Sequence, residues 1–505
     1  MNIAMLLQMA ADLHPDRTAV GARDAGMSYR QLLDQARRAA EWIRQQGGER
    51  LVTVDVNSPA VPVLLFGSAL AGVPFVPVNY RLADDRLRDV VARTAPSIAV
   101  VDEPVLRRIG HLDGVTVRSR AQVLDEVAST PVGVASDALS ENEIAVLLFT
   151  SGTTGEPKAA VLRHQNLFSY IVGSVEFGTA DEDECALVSV PPYHVAGVAA
   201  VLSNIYSGRR LYYLEQFDPA AWVDAVRTER VTHAMVVPTM LVRILDVLDE
   251  RDVGLPTLRS LSYGGGRMPV SVIERALARL DGVDFVNAYG LTETSSTITV
   301  LTPEDHRAAS TSDDPAVRRR LGSVGRPLPG IELEIRDAAG RPVPTGVTGE
   351  IWVRGAQVSG EYVGAGAQLE NGWFHTRDSG WLDDGGYLFL EGRVDDVIVR
   401  GGENMSPGEI EDVLLDHPDV DQVAVVGIPD REWGEAIAAF VVPRAQASPT
   451  AEELREWVRA RLRSSRVPTV VEFRDSLPYT ETGKLLRRTL RDEYVRRHET
   501  ADQSS

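Results

Sequence analysis

Along the first three hundred residues, short apolar β-branched runs alternate with longer segments whose apolar positions recur every three or four residues. "RLVTVDV", "SPAVPVLLFGSALAGV", "PFVPVN", "RLADDRLRDVVART" and "SIAVVDE" follow one another in this way. A strand repeats every two residues and a helix every 3.6, so the alternation predicts βαβ units, an α/β fold of parallel-rich sheets covered by helices. Between about 321 and 392 the rhythm shortens to runs broken by glycine and proline, as in "GSVGRPLPGIELEIRDAAGRPVPTGVTGEIWVRG". That stretch predicts a small antiparallel, barrel-like lobe. "DVDQVAVVGIPD", "EAIAAFVVP" and "TAEELREWVRARLRS" then predict a compact α+β unit at the C-terminal end. No internal repeat is present. The polar tail "HETADQSS" is expected to fray, and the start "MNIAMLLQMAADLHPDRTAV" reads as an amphipathic helix without the cationic flank of a signal peptide.

With 505 residues and 44% hydrophobic content, the chain suits two to four lobes at roughly 150 residues each. Its net charge of −20 opposes attraction to nucleic acid and to anionic lipid. No apolar run approaches the roughly 20 residues of a membrane span. Cys185, the single cysteine, allows no internal disulfide, and no Cys/His spacing suggests a metal cage, so a cytoplasmic protein is expected.

The chemistry begins at "IAVLLFTSGTTGEPK". A buried strand runs directly into a Gly/Thr-rich turn, where backbone N–H groups and the hydroxyls of Thr150, Ser151, Thr153 and Thr154 converge on phosphate oxygens. The familiar NTPase loop needs glycine before its lysine and Ser/Thr after it. Pro157 and Ala159 stand there instead, so a metal ligand must come from elsewhere. Taken alone, such a turn is as readily a surface loop.

Read together, "FTSGTTGEPK", "YGLTET", "FHTRDSG", "GRVDDVIVRGGEN" and "YTETGK" resemble, in order and separation, the signature segments of the adenylate-forming superfamily. The "GGEN…P.EIE" and "WGE" segments are most similar to its acyl-CoA synthetase or fatty-acid–CoA ligase branch. The resemblance covers nearly the whole chain. It implies an AMP-forming acid–thiol ligase using ATP, Mg²⁺ and coenzyme A, in which a carboxylate becomes an acyl-AMP and then a thioester. By the same resemblance Thr150, Ser151, Gly152, Thr153, Thr154, Gly155 and Lys158 hold the leaving pyrophosphate, Thr292 the α-phosphate, and Glu293 the metal. Gly264, Gly265 and Gly266 lie against adenine, with Tyr289 and Gly290 beside it. Asp378 and Arg393 take the ribose, and Lys484 bridges carboxylate and α-phosphate. Asp395 becomes a hinge between an N-terminal domain, 1–394, and a mobile C-terminal domain, 395–505, while Gly401 and Gly402 floor a thiol tunnel gated by His194. Each is commonplace alone: glycine runs are usually turns, and exposed charges are usually solvated.

Two departures stand out. The family pattern Thr-Gly-Asp is here Thr376-Arg377-Asp378, and Ala159 replaces glycine after the loop lysine. Arg267 is a candidate to pair with an acidic or polar substrate group, and Arg461, Arg463 and Arg466 are candidates for the CoA mouth. The acid's identity stays open, as does the acceptor: CoA, a carrier-protein thiol, an amine, or nitrite as substrate in diazo formation. A non-enzymatic nucleotide-binding protein is the remaining alternative, and a homodimer is neither required nor excluded.

Overall fold

The computed structural model describes residues 1–133, 143–150, 158–400, 403–430, 433–479 and 485–502. Two large mixed sheets form the N-terminal part. In the first, Thr18–Val20, Arg210–Tyr213, Cys185–Val188, His233–Val236, Ser260–Gly264 and Asp284–Leu291 run parallel, with Ser296–Leu301 and Arg326–Pro327 antiparallel at one edge and Met27–Ser28 at the other. In the second, Ile144–Thr150, Phe75–Pro77, Leu51–Val54, Ser97–Val101 and Val115–Ser119 are parallel neighbours in that order.

The sequence pattern explains the layering. "AVPVLLFGSALA" has no polar face, so it must be covered on every side. The helix Ala60–Ala71 is accordingly buried from Ala60 to Ala69. It packs in one apolar cluster with the helices Tyr29–Gln46 and Val195–Ser207. Tyr29–Gln46 starts where "SYRQ" predicts: Ser28 Oγ accepts from the Gln31 N–H, and Gln31 Oε1 accepts from the Ser28 N–H.

The expected antiparallel lobe consists of Glu332–Arg336, Gly349–Arg354, Leu369–Glu370, Trp373–Leu382 and Leu388–Arg393. Not every strand between 321 and 392 belongs to it. Arg326–Pro327 belongs to the first large sheet. Glu361–Tyr362 and Gly366–Ala367 leave the lobe to extend the second beyond Lys158–Arg163.

The C-terminal part is the expected α+β unit, a sheet of Ile398–Arg400, Glu403–Met405, Val420–Asp430, Gly434–Pro443 and Val470–Phe473. The helices Pro407–Leu415, Ala451–Arg459 and Arg487–Asp502 accompany it. The last of these runs into the tail expected to fray, through residue 502. Among the described residues no helix is long and apolar enough to cross a membrane.

Candidate active site

The Gly/Thr-rich segment joins two antiparallel strands, Ile144–Thr150 and Lys158–Arg163, paired from Ile144↔Arg163 to Thr150↔Lys158. Paired strands therefore flank the motif on both sides, where the NTPase loop opens a helix. Thr150 Oγ1 donates to the Lys158 carbonyl at 3.3 Å, closing the hairpin neck. Ser151, Gly152, Thr153, Thr154 and Gly155 lie outside the described residues, as do Gly401, Gly402 and Lys484.

Asp378 sits in a bulge. Glu350 pairs with Ser379 and Trp352 with His375, so Ile351 alone faces Thr376, Arg377 and Asp378. Thr376 Oγ1 pins the extra residues: it donates to the Ile351 carbonyl at 2.7 Å and accepts from the Asp378 N–H at 3.1 Å. Arg377 consequently adopts φ +60°, the left-handed region that favours glycine. Its side chain is exposed.

Three predicted residues meet here. Tyr289 Oη donates to Asp378 Oδ2 at 2.7 Å, and Arg393 Nε meets Asp378 Oδ1 at 3.0 Å. Arg393 Nη1 also donates to the Thr376 carbonyl at 3.1 Å. Burial, followed by the Asp378 charge, raises the Tyr289 phenol pKa well above its ordinary value, so it remains a donor. Each Asp378 oxygen retains acceptor capacity for a vicinal diol. Tyr289 is buried in the lobe's apolar cluster, so its hydroxyl orients Asp378 in addition to whatever its ring offers adenine.

The glycine turn lies next door, because Gly264 pairs with Ala288 on the adjacent strand. A Cβ on Gly264 would stand 2.2 Å from the Ala288 carbonyl oxygen, and one on Gly290 would stand 1.8 Å from that of Ser296. Close strand approach therefore demands both glycines before any ligand does.

Glu293 occupies the 3₁₀ turn Thr292–Thr294. Its carbonyl accepts from the N–H groups of Ser359 and Gly360 at 2.9 and 3.1 Å, and its Oε1 accepts from Tyr362 Oη at 2.5 Å. Lys158 Nζ stands 6.0 Å from the centre of the Tyr362 ring. Burial and then the Glu293 charge raise the Tyr362 pKa, keeping that hydroxyl a donor too. Tyr362, which the sequence reading missed, thus links the hairpin lysine to the metal-ligand candidate. Nothing in "GEYVG" marks it, because a two-residue strand carries no periodicity.

Among the described residues no group of three or more His, Cys, Asp and Glu could hold a metal ion. Glu293 offers one carboxylate, and Mg²⁺ ordinarily takes one or two carboxylates with phosphate oxygens and waters, so this donor set fits Mg²⁺ held jointly with ATP.

His194 precedes the helix Val195–Ser207, its ring 4.6 Å from that of Tyr193. Burial lowers its pKa to about 4, so it is neutral near pH 7, and its Nε2 is buried without a partner among the described residues. Arg267 pairs with Asp412 on the C-terminal helix Pro407–Leu415. Arg461 lies over the Trp457 ring, and Arg466 binds Glu409 at 3.2 Å, so these two are engaged within their own domain.

Known proteins resemble the chain over nearly its whole length. The AMP-binding enzyme family matches residues 7–363, and the AMP-binding enzyme C-terminal domain matches residues 409–484. A feruloyl-CoA synthase from Amycolatopsis sp is 35% identical over 494 residues, covering 95% of this chain and 96% of its own. The fatty acid–acyl-carrier-protein ligase ScoC of Streptomyces coeruleorubidus is 32% identical, covering 96% of this chain and 95% of its own. The crystal structure of ATP-bound MatB from Rhodopseudomonas palustris superposes with a TM-score of 0.86 at 27% identity, covering 98% of this chain and 99% of that one.

Proposed function

Because the chain belongs to the AMP-binding enzyme family, we propose that it activates a carboxylic acid with ATP and transfers the acyl group to coenzyme A. In the first half-reaction a carboxylate oxygen attacks the α-phosphorus, the α–β phosphoanhydride bond breaks, and pyrophosphate leaves. In the second the thiol sulfur attacks the acyl carbon, the mixed anhydride breaks, AMP departs, and the thiol proton passes to solvent. The observation that carries the reading is the Tyr289–Asp378–Arg393 assembly, an oriented carboxylate suited to a ribose.

Asp378 accepts from the two ribose hydroxyls while Arg393 and Tyr289 fix its plane. Gly264, Gly265 and Gly266 flank adenine. Thr292, whose hydroxyl has no partner among the described residues, donates to the α-phosphate. Lys158 and the hairpin tip receive the β- and γ-phosphates. Mg²⁺, when bound to Glu293 and the phosphates, supplies charge neutralisation at the leaving group. His194, being neutral, lines the path between acyl group and thiol without adding charge. The domain boundary falls at the 3₁₀ turn Val394–Asp396, with Asp395 as hinge. Lys484 arrives with the C-terminal domain to stabilise charge in the first half-reaction, a term of about 3 kcal/mol.

The ScoC relative favours a second reading, transfer to a carrier-protein thiol. The test is product analysis across an acid panel with ATP and either CoA or a pantetheinylated carrier, with Lys484→Ala alongside. The variant is expected to lose about a hundredfold in acyl-AMP formation while converting supplied acyl-AMP to thioester nearly as well as the parent. Equal losses in both half-reactions remove this division of labour.

A further inference from the structure

The two residues that follow the 3₁₀ turn of Glu293 both have left-handed backbone, Ser295 at φ +58° and Ser296 at φ +106°. Neither is glycine, so the conformation is strained and lasts only where neighbouring contacts hold it. Thr294 and Ser295 are fully buried, so those contacts come from the protein.

One short segment, residues 356–362, supplies them. Gln357, 6% exposed, reaches across with its carboxamide: Nε2 donates to the Thr294 carbonyl at 3.0 Å and to the Thr297 carbonyl at 2.7 Å. Its two amide hydrogens thus go to the carbonyls on either side of the strained pair. Ser295 Oγ donates back to the Gln357 carbonyl at 2.8 Å. Further along the segment, the Ser359 and Gly360 N–H groups hold the carbonyl of Glu293 itself.

The same segment is fastened to the strand Lys158–Arg163. Glu361 pairs with Val161 and Tyr362 with Ala160. Ser359 Oγ donates to the Val161 carbonyl, and the Glu361 carboxylate accepts from Arg163 Nε and Nη2 at 2.9 and 2.8 Å, a bidentate pair of fixed geometry. The Glu293 turn joins two strands of the first large sheet, whereas Lys158 begins a strand of the second. Residues 356–362 therefore form a strap hydrogen-bonded to both.

A triphosphate that meets Lys158 directly and Glu293 through a metal ion needs those two side chains at one fixed separation. Groups held in place before the ligand arrives need no reorganisation when it binds. We infer that Gln357 is a positioning residue, and that through it the strap sets the place of Glu293 relative to Lys158. The inference rests on the roles given to Glu293 and Lys158 in the reading above, and it gives Gln357 no contact with the nucleotide.

The test measures ATP binding by calorimetry without acid, in Mg²⁺ and in EDTA, for the parent, Gln357→Met, Glu361→Ala and the double variant. Methionine keeps the length of the side chain and removes both donors. The quantity read is the factor by which Mg²⁺ tightens ATP binding. Gln357→Met is expected to cut that factor about fivefold, in line with the loss of ordinary hydrogen bonds, and Glu361→Ala about twofold, while affinity in EDTA stays nearly level. The double variant falls short of the product of the two losses, because a strap loosened at one end holds less at the other. A residue that only stabilised the fold would lower the melting temperature and leave the Mg²⁺ factor of the folded protein unchanged. If either single variant keeps the parent's factor, or if the two losses multiply in full, the strap is overturned. Should the buried Gln357→Met fail to fold, Glu361→Ala decides by the same criterion. If the parent's own ATP affinity does not respond to Mg²⁺, the metal role of Glu293 fails and takes the positioning role with it.

Discussion

At the scale of single residues, Arg377 shows how a departure from a family pattern is accommodated. The bulge opposite Ile351 turns Asp378 toward Tyr289 and Arg393, and it forces residue 377 into the left-handed region whatever side chain stands there. Arginine pays strain that glycine would not, on the order of 1 kcal/mol. Arg377→Gly is therefore expected to stabilise the N-terminal domain by about that amount, read as a shift of its denaturant midpoint, with the Asp378 contacts kept. A lower midpoint would mean that the arginine makes a compensating contact. The same measurement series should include KM for ATP, because an exposed cation beside a ribose site adds attraction for a polyanion, and its removal should raise that KM. Asp378 and Arg393 stand out in "FHTRDSG" and "GRVDD" only through the family resemblance, and the structure brings the two into contact. Their third partner does not stand out there: Tyr289 was assigned to adenine, and its hydroxyl contact with Asp378 spans 89 positions of sequence.

Elements of ordinary length were readable because their periodicity was. Helix Ala60–Ala71 and strand Ser97–Val101 fall where the apolar pattern puts them. Two-residue strands carry no period, so the departure of Glu361–Tyr362 from the lobe to pair with Lys158–Arg163 in the second large sheet could not be foreseen. That short pairing places Tyr362 between Lys158 and Glu293. Removing the hydroxyl frees Glu293 to leave the orientation in which it faces the hairpin. Tyr362→Phe keeps the ring under Lys158 and is expected to raise the Mg²⁺ concentration for half-maximal acyl-AMP formation about tenfold, the lower end of what one hydrogen bond to a charged group contributes. Measuring pyrophosphate exchange against Mg²⁺ at saturating ATP checks it. An unchanged Mg²⁺ curve would leave Tyr362 as strand packing and nothing more.

Across the whole molecule, contacts between the two domains hold one orientation of them. Arg267, expected to face substrate, crosses to Asp412, and Ser406 Oγ donates to the Glu391 carbonyl at 2.7 Å. No local pattern signals a pair 145 residues apart. Side-chain exposures of 41 and 45% make the ion pair a modest one, worth up to about 1 kcal/mol. An energy of that size suits a contact that must break in every turnover if the C-terminal domain rotates between half-reactions. A stronger latch would trap one state. Arg267→Asp and Asp412→Arg should each slow, by about two- to fivefold, whichever half-reaction runs in this orientation, and leave the other less affected. The double reversal restores opposite charges at the same positions and should recover most of the loss. Recovery separates a latch from a direct nucleotide contact beside Gly266, because an aspartate at 267 would repel phosphate whatever occupies 412. Failure of the double variant to improve on Arg267→Asp would assign Arg267 to the nucleotide site and leave the domain orientation to other contacts.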